Sequence, residues 1–282
     1  MGLSVLTLVR NRRLHLLRLI EGLCRSEIAP DELIVVDLGG PTIVLPVASF
    51  QIRVVPLESA PLPLARARNL AASLARHEIL LFLDVDCIPM AKLLGLMSST
   101  LDKHDALVCA QIHYLREAVT HCDWQEDVLL RDSMPHPVRA FSAQGIRVEN
   151  NPGLFWSLAF AVRRSLFNRL GGFDERFVGY GAEDTDFGFR ARKADAKLLF
   201  LGGAGAFHQY HEVYDPPLQH FDDIIRNAEV FFERWNVWPM DGWLDAFERL
   251  GLILRVRDKI TKIRPPNFLE VALSRLSPDR GF

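Results

Sequence analysis

Two aspartates, Asp84 and Asp86, directly follow a short apolar run and are well placed to hold a divalent cation. The run, Ile79–Leu83, is unbroken, which is typical of a strand that is buried on both faces of a sheet. In an extended chain, residues i and i+2 point to the same side, so the two carboxylates should lie close together. Neighbouring carboxylates repel each other, and a divalent cation relieves that repulsion. Taken alone, the same residues also fit an ordinary acidic turn at a strand end.

The first half of the chain alternates predicted strands with segments of helix length. Strands are predicted at Leu3–Val9, Glu32–Leu38, Ile52–Val55 and Ile79–Leu83, and helices at Leu14–Cys24 and Leu64–Arg76. This alternation indicates βαβ units, and therefore an α/β fold with a Rossmann-like, mostly parallel central sheet flanked by helices. Ligands of such sheets bind beyond the carboxyl ends of the strands, so Arg10–Arg13, Asp37–Gly40 and Asp84–Asp86 should converge on one edge.

The second half of the chain is less regular. Strands are predicted at Ala106–Tyr114, Leu154–Val162 and Lys197–Leu201, and helices at Met90–Leu101, Arg163–Leu170 and Asp223–Trp238. Glu117–Asn151 shows no clear period and is predicted to be a long irregular stretch.

Composition excludes several classes of protein. The chain has 282 residues, 49% of them hydrophobic, and a formal net charge of −2, which is neither disordered nor basic enough for a nucleic-acid partner. Its four cysteines are scattered, so free thiols are expected and a structural zinc site is not. We expect a cytoplasmic protein, because no signal peptide and no apolar run of about 20 residues is present.

Several motifs occur in a fixed order along the chain. Phe82–Asp86 and Ala67-Arg68-Asn69 lie in the first half, and GGFDE (171–175), GYGAED (179–184) and FGFR (187–190) lie in the second. Together they resemble the nucleotide-sugar glycosyltransferases of the GT-A fold, and the first half resembles the large family 2 of these enzymes. The second half is similar to galactosyl- and N-acetylgalactosaminyltransferases and to chondroitin-type polymerases.

The resemblance implies a donor site that holds a divalent metal, Mn²⁺ or Mg²⁺. Asp86 matches the direct metal ligand, and Asp84 matches a residue that contacts the ribose or reaches the metal through water. His208 matches a histidine that completes the metal site, whereas His211 is the weaker candidate.

Further residues match positions that contact the nucleotide in the enzymes that the chain resembles. Asp37 matches a contact to the base or ribose, although Leu38 stands where relatives have a second acidic residue. Arg68 and Asn69 match positions near the phosphates and the base. For Arg68, a solvated position on a helix face is the alternative.

Glu183 and Asp184 are the candidate catalytic residues. In the resemblance, Asp184 is the general base that takes a proton from the acceptor hydroxyl, and Glu183 hydrogen-bonds the acceptor or the donor sugar. A purely structural explanation also exists, because carboxylates in the first turn of a helix are favoured by the helix dipole. The Glu-Asp pair is more common in relatives that invert the anomeric centre, so inversion is expected.

The tail, Asp241–Phe282, differs in composition from the rest, because apolar residues alternate with basic ones. We predict a GT-A catalytic domain at residues 1–238 and a helical C-terminal extension at 239–282. The extension is predicted to be a capping helix with a solvated basic face. The alternative is a surface that contacts anionic lipid at the inner membrane face, or a protein partner.

The sequence therefore predicts a metal-dependent, inverting glycosyltransferase. Its donor would be a UDP-sugar, and its acceptor a hydroxyl of a glycan, a lipid-linked glycan or a small molecule. Two alternatives stay open at this point. A nucleotidyltransferase also uses carboxylate-bound metal at a sheet edge, and a non-catalytic nucleotide-binding or scaffold protein could retain the fold with a decayed site.

Overall fold

The computed structural model describes residues 2–41, 44–57, 61–116 and 124–277, which are organised around one large sheet. The strands are β1 (Leu3–Val9), β2 (Glu32–Asp37), β3 (Gln51–Pro56), β4 (Ile79–Leu83), β5 (Cys87–Pro89), β6 (Ala106–Leu115), β7 (Ser133–Pro135), β8 (Gly145–Glu149), β9 (Ala159–Arg163), β10 (Lys197–His208), β11 (Ile253–Val256) and β12 (Lys259–Lys262). The helices are α1 (Arg13–Cys24), α2 (Leu64–Leu74), α3 (Leu93–Lys103), α4 (Glu126–Arg131), α5 (Arg164–Arg169), α6 (Glu183–Lys193), α7 (Phe221–Trp235), α8 (Asp241–Arg249) and α9 (Phe268–Leu273).

The main sheet is mixed rather than mostly parallel. Its order is β3-β2-β1-β4-β9-β6-β10-β5, with β7 added to β6 and β8 added to β10. The predicted parallel pairing holds for β1 to β4 and for β6 with β10, whereas β9 is antiparallel to both of its neighbours. β9 is antiparallel because the chain has already returned to the carboxyl end of β4 when β9 begins. At that end, Asp84 donates its backbone N–H to Leu158 O at 2.8 Å.

The two faces of the sheet are buried by different helices. Alternate residues of β4 enter different cores, because side chains alternate along a strand. Leu81 packs on the side of α1 and α3, and Phe82 packs on the side of α2, α5 and α6. Every residue of β4 is at most 3% exposed, so the strand that carries the two aspartates is held rigidly from both sides.

A buried polar network joins α6 to α7. Asp186 is completely buried and accepts hydrogen bonds from Arg190 Nε at 2.7 Å, Arg234 Nη1 at 2.7 Å and Trp235 Nε1 at 2.9 Å. Because this carboxylate is both ion-paired and hydrogen-bonded, these contacts offset the free-energy cost of removing its charge from water. The network fixes the helix whose first turn carries Glu183 and Asp184.

The C-terminal part is not the single capping helix that the sequence predicts. It contains α8, an antiparallel hairpin of β11 and β12, and the short helix α9. Arg257, in the hairpin turn, adopts a left-handed φ of 55°, which ends the strand. Ile253 and Ile260 of the hairpin share a hydrophobic core with α7 and α8. The division of the chain at residues 238 and 239 therefore separates elements that pack together, and it stays a prediction.

Other predicted elements differ in extent. Glu117–Asn151 contains α4, β7 and β8 rather than being irregular throughout, and its residues 117–123, including Cys122, lie outside the described residues. β9 is shorter than the predicted Leu154–Val162, because Pro152 begins a 3₁₀ turn with a fixed φ. Cys24, Cys87 and Cys109 are free thiols.

No helix within the described ranges is long and apolar enough to cross a membrane; α7 has 15 residues.

Candidate active site

The carboxyl ends of β1, β4 and β10 meet at one edge, as the strand pattern predicts for the first two. Asp86 follows β4, and His208 is the last residue of β10. The short strand β5 pairs antiparallel with the end of β10, so Cys87 lies opposite His208. Gln209 donates its backbone N–H to Asp86 O at 2.7 Å. Main-chain contacts therefore hold the aspartate and the histidine side by side.

Asp86, His208 and His211 form a group that could hold a metal ion. His208 Nε2 lies 3.5 Å from Asp86 Oδ1, and His211 Nε2 lies 3.6 Å from Asp86 Oδ2. One ligand atom from each residue falls within 4.8 Å of the other two. One carboxylate oxygen with two imidazole nitrogens is a donor set that suits Mn²⁺ better than the strongly oxygen-preferring Mg²⁺. The residues present thus fit the implied metal.

His211 contributes more to this group than the sequence suggests. Sequence reasoning ranks it below His208, yet the structure places both imidazoles at the same carboxylate. The signal that could have found it is the spacing of two histidines just beyond a strand end. Asp84, by contrast, does not join the two histidines, and its carboxylate faces Arg68 instead. A direct contact of Asp84 with the metal stays a prediction.

Arg12 lies at the edge where the sequence predicts Arg10–Arg13 to converge, but its contact with the candidate metal ligand was not predicted. It lies in the loop after β1, and its guanidinium Nη1 forms an ion pair with Asp86 Oδ2. Burial acts to raise the pKa of Asp86, but the positive charges of His208, Arg12 and His211 outweigh it and lower the pKa to about 2.

The two histidines respond to burial in the opposite sense. Burial lowers the pKa of His208, and burial together with the Arg12 charge lowers the pKa of His211 to about 4. Near pH 7 the group therefore offers an ionised carboxylate and two neutral imidazoles. These are the protonation states that metal coordination requires.

Replacing Arg12 with glutamine should tighten Mn²⁺ binding, because the guanidinium and the cation compete for the same carboxylate. Since Arg12 is about one-third exposed, we expect a gain of about 3- to 10-fold in affinity. Titration of the protein with Mn²⁺, followed by the electron paramagnetic resonance signal of the free ion, measures it. Arg10→Gln, an exposed neighbour without an ion pair among the described residues, is the control. Weaker binding in Arg12→Gln would show that Arg12 supports the site instead of competing for it.

A second charged group lies beside the first. Arg68 is buried, with 4% of its surface exposed, and donates from Nη1 to Glu183 Oε1 at 2.9 Å and from Nη2 to Asp84 Oδ1 at 3.4 Å. It thereby ties the end of β4 to the first turn of α6. Burial raises the pKa of Asp84 to about 7, with help from Asp86 and Glu183 and against the pull of Arg68. The structure thus rules out a solvated helix face for Arg68.

Asp184 is the carboxylate of α6 that no side-chain cation pairs with among the described residues. Its Oδ1 accepts from the Thr185 backbone N–H at 2.7 Å, and its Oδ2 accepts from the Ser157 N–H at 3.4 Å. Burial and the neighbouring charge of Glu183 raise its pKa to about 6, although Arg68 opposes them. A carboxylate with such a pKa can accept a proton at neutral pH and is held in place by main-chain donors.

The loop before α6 is positioned by Asn227 of α7. The buried amide of Asn227 donates to Val178 O at 3.1 Å, Tyr180 O at 3.2 Å and Gly181 O at 2.9 Å. Ala182, the residue before the helix, adopts a left-handed φ of 68°. This fixed turn sets the direction in which Glu183 and Asp184 enter the site.

Two predicted nucleotide contacts have other partners in the structure. The Asn69 amide donates to Phe173 O at 2.9 Å and accepts from Phe173 N–H at 2.8 Å, so it connects α2 to the GGFDE loop. Asp37 lies at the carboxyl end of β2 and accepts from the Gly39 N–H at 3.0 Å. Nucleotide binding by either residue stays a prediction.

Two protein-family models match the chain. One is described as glycosyl transferase family 2 and matches residues 4–171, and the other is described as the N-terminal domain of galactosyltransferase and matches residues 136–215. The first match contains Asp86 and Arg68, and the second contains Asp184, His208 and His211.

Two curated relatives are N-acetylglucosaminyl-diphospho-decaprenol L-rhamnosyltransferases from two strains of Mycobacterium tuberculosis. Each is 32% identical to the chain over 108 residues, which are 36% of this chain and 35% of the relative. The match therefore spans about a third of the length of these relatives.

Solved structures share the fold at low identity. TarS 1-349 of S. aureus has a TM-score of 0.54 at 15% identity, covering 82% of this chain and 66% of that one. Its complex with UDP-GlcNAc gives 0.53 at 15% identity, covering 82% and 67%. GalNAc-T7 with UDP, GalNAc and Mn²⁺ gives 0.55 at 15% identity, covering 74% and 43%.

These likenesses confirm the predicted α/β fold of the GT-A type. The first family model spans more than half of the 282 residues, including the strand with the two aspartates. The chain therefore belongs to glycosyl transferase family 2.

Proposed function

We propose that the chain is a metal-dependent, inverting glycosyltransferase that moves a sugar from a UDP-sugar to an acceptor hydroxyl. The observation that carries this proposal is the meeting of Asp86, His208 and His211 at the strand edge. Glu183, in the first turn of α6 beside Asp184, is tied to the same edge through Arg68. A metal group and a base candidate on neighbouring elements are what a transfer from a nucleotide diphosphate to a hydroxyl needs.

Asp86, His208 and His211 would hold the cation, which when bound supplies positive charge for the diphosphate leaving group. Arg12 lies at the same carboxylate and adds a fixed positive charge to this end of the cleft. Arg68 is committed to Glu183 and Asp84, so it orients these carboxylates against the end of β4.

Asp184 would accept the proton of the acceptor hydroxyl. Glu183 accepts a hydrogen bond from the Arg68 cation, whereas Asp184 accepts only from the backbone N–H groups of Thr185 and Ser157 and from the Thr185 hydroxyl among the contacts described. The negative charge of Glu183 helps to raise the pKa of Asp184, which increases its strength as a base. A single base acting on the attacking hydroxyl is consistent with one displacement and inversion.

The donor and acceptor classes are drawn from the relatives. The similar structures of TarS and GalNAc-T7 are complexes with UDP or UDP-GlcNAc, which supports a UDP-sugar donor. The curated relatives are named for a diphospho-decaprenol acceptor, which favours the lipid-linked class over a free glycan or a small molecule. A lipid-linked acceptor would place the enzyme at a membrane surface, on the cytoplasmic side.

A thermal-shift panel of nucleotides with and without Mn²⁺ tests the proposal. UDP should raise the melting temperature only when Mn²⁺ is present, because ligand at 100 times its Kd stabilises the fold by about 2.7 kcal/mol. Failure of every nucleotide diphosphate to stabilise the protein would favour a non-catalytic scaffold. Release of pyrophosphate from a nucleoside triphosphate would instead identify a nucleotidyltransferase.

A further inference from the structure

The short helix α9 presents large apolar side chains to solvent. Phe268 is 89% exposed, Leu269 64% and Leu273 75%, and none of the six residues of α9 is buried within the described structure. A helix this short is stabilised mainly by packing of an apolar face. Contiguous exposed apolar side chains of this size mark a surface that is covered by something else.

The same C-terminal part of the chain carries an excess of basic residues. Residues 249–277 contain seven basic and two acidic residues, a net charge of +5 in a chain whose net charge is −2. Four of the seven cations are paired, three of them with acids outside this range: Arg255 with Asp241, Asp245 and Glu248, Lys262 with Asp222, Arg275 with Glu212, and Arg264 with Glu270 inside it. Arg249, Arg257 and Lys259 are exposed and have no ion-pair partner in the part of the chain that the structure describes. The hairpin also exposes apolar residues beside them, with Leu254 51% and Val256 56% exposed.

We propose that α9 and the β11–β12 hairpin form a docking surface for an anionic membrane. Exposed Phe and Leu side chains beside Lys and Arg are typical of helices that lie in the headgroup region. Basic residues near an anionic surface each add to the attraction. The surface excess of positive charge selects an anionic lipid bilayer over a neutral one, and Phe268, Leu269 and Leu273 enter its interfacial region.

The docking surface is fastened to the segment that carries the metal-site histidines. Asp215 donates its N–H to Ser274 O at 2.8 Å, and Leu276 donates its N–H to Val213 O at 2.8 Å. These contacts begin two residues after His211. Membrane docking would therefore hold the active-site edge near the bilayer, where a lipid-linked acceptor presents its hydroxyl. This last consequence rests on the proposed function, whereas the docking itself does not.

Co-sedimentation with phosphatidylcholine vesicles, with and without phosphatidylglycerol, tests the docking surface. The full chain should bind the anionic vesicles and not the neutral ones. The triple variant Phe268→Ala, Leu269→Ala, Leu273→Ala should bind at least about tenfold more weakly, because its apolar anchors are gone. These side chains are exposed, so the melting temperature should stay unchanged.

A matched control removes exposed apolar residues elsewhere. Ile28→Ala, Val47→Ala and Val148→Ala, at sites 57%, 99% and 48% exposed, should leave vesicle binding intact. Equal binding by the α9 variant and this control would overturn the proposal. Binding to polyglutamate without binding to anionic vesicles would also overturn it, and would point to an acidic protein partner.

Charge variants give an independent readout if the α9 variant were to unfold. Arg257→Gln with Lys259→Gln should weaken vesicle binding and reduce its dependence on salt. Unchanged vesicle binding at every salt concentration would show that the β11–β12 hairpin is not part of the docking surface. Stabilisation by UDP and Mn²⁺ should persist in all of these variants, so failure of the docking surface and failure of the proposed function remain distinguishable.

Discussion

Replacing Asp86 with alanine should abolish Mn²⁺-dependent stabilisation by UDP and reduce turnover about 10³-fold or more. Asp86 is the only carboxylate of the described His-Asp-His group, so the variant leaves two neutral imidazoles to hold the cation. A bound metal contributes several kcal/mol of charge stabilisation, and each 1.4 kcal/mol is about tenfold in rate. The Asp86→Ala protein should still fold, because Arg12, its ion-pair partner, is partly exposed and can be solvated.

The controls for this variant are a melting curve and a second aspartate variant. Asp102→Ala removes an exposed carboxylate of α3 that lies away from the strand edge, and it should behave like the unaltered protein. Full activity of Asp86→Ala would show that Asp86 does not hold a metal ion that the reaction needs. Loss of the folded state in Asp86→Ala would instead be visible as a lowered melting temperature without nucleotide.

Replacing Asp184 with asparagine should slow transfer about 10²–10⁴-fold and leave UDP binding unchanged, because the amide cannot accept the acceptor proton. Asparagine keeps the size of the side chain and can still accept the Thr185 N–H. Single-turnover transfer to an acceptor, measured beside UDP binding by calorimetry, separates the two effects. Equal loss of UDP binding and of rate would exclude Asp184 as the base.

The same residue predicts how the rate depends on pH. A base with a pKa of about 6 is ionised above that pH, so transfer should fall about tenfold for each pH unit below 6. Among the described residues, Glu183, Arg68, Tyr180 and Cys109 are titratable or charged groups that interact electrostatically with Asp184. The acidic limb should disappear in Asp184→Asn. If the rate of Asp184→Asn still fell below pH 6, the titrating group would be a residue other than Asp184.

The strand edge was predictable because it follows from periodicity and topology. The unbroken run of β4 indicates a buried parallel strand, and the carboxyl ends of parallel strands meet at one edge. Asp86 could therefore be placed near Arg12 from the sequence alone. Their ion pair could not, because the direction of a side chain in a loop depends on the charges that it meets in the folded protein.

β10 shows where local pattern fails. The sequence predicts a strand at Lys197–Leu201, because Gly202, Gly203 and Gly205 interrupt the apolar run that follows. The strand in fact continues to His208, since the pairing with β6 shifts register between Leu201 and Gly205 and then resumes. Pairing with a neighbouring strand keeps the backbone extended through such an irregularity. Because this pairing is not visible in the local sequence, the position of His211 just beyond the strand end was not predicted either.

The tail was misjudged because its apolar residues Trp243, Phe247, Leu250 and Leu254 recur every three or four residues, which is typical of a helix. Ile253 and Ile260 instead lie on opposite strands of a hairpin that packs on α7 and α8. Tertiary contacts decide between helix and strand for short amphipathic stretches, and these contacts lie outside the tail itself.

The separation of the site residues along the chain has a consequence for biosynthesis. Arg12 and Asp86 are 74 residues apart, and Arg68 and Glu183 are 115 apart. Contacts over such separations carry the cost of closing long loops, so they form late in folding. A nascent chain that has emerged only through β5 already contains both aspartates, but it lacks the histidines until β10 and the residues just after it have been made. The growing polypeptide thus passes most of its synthesis without a complete metal site and acquires one only when the last strand of the main sheet is in place.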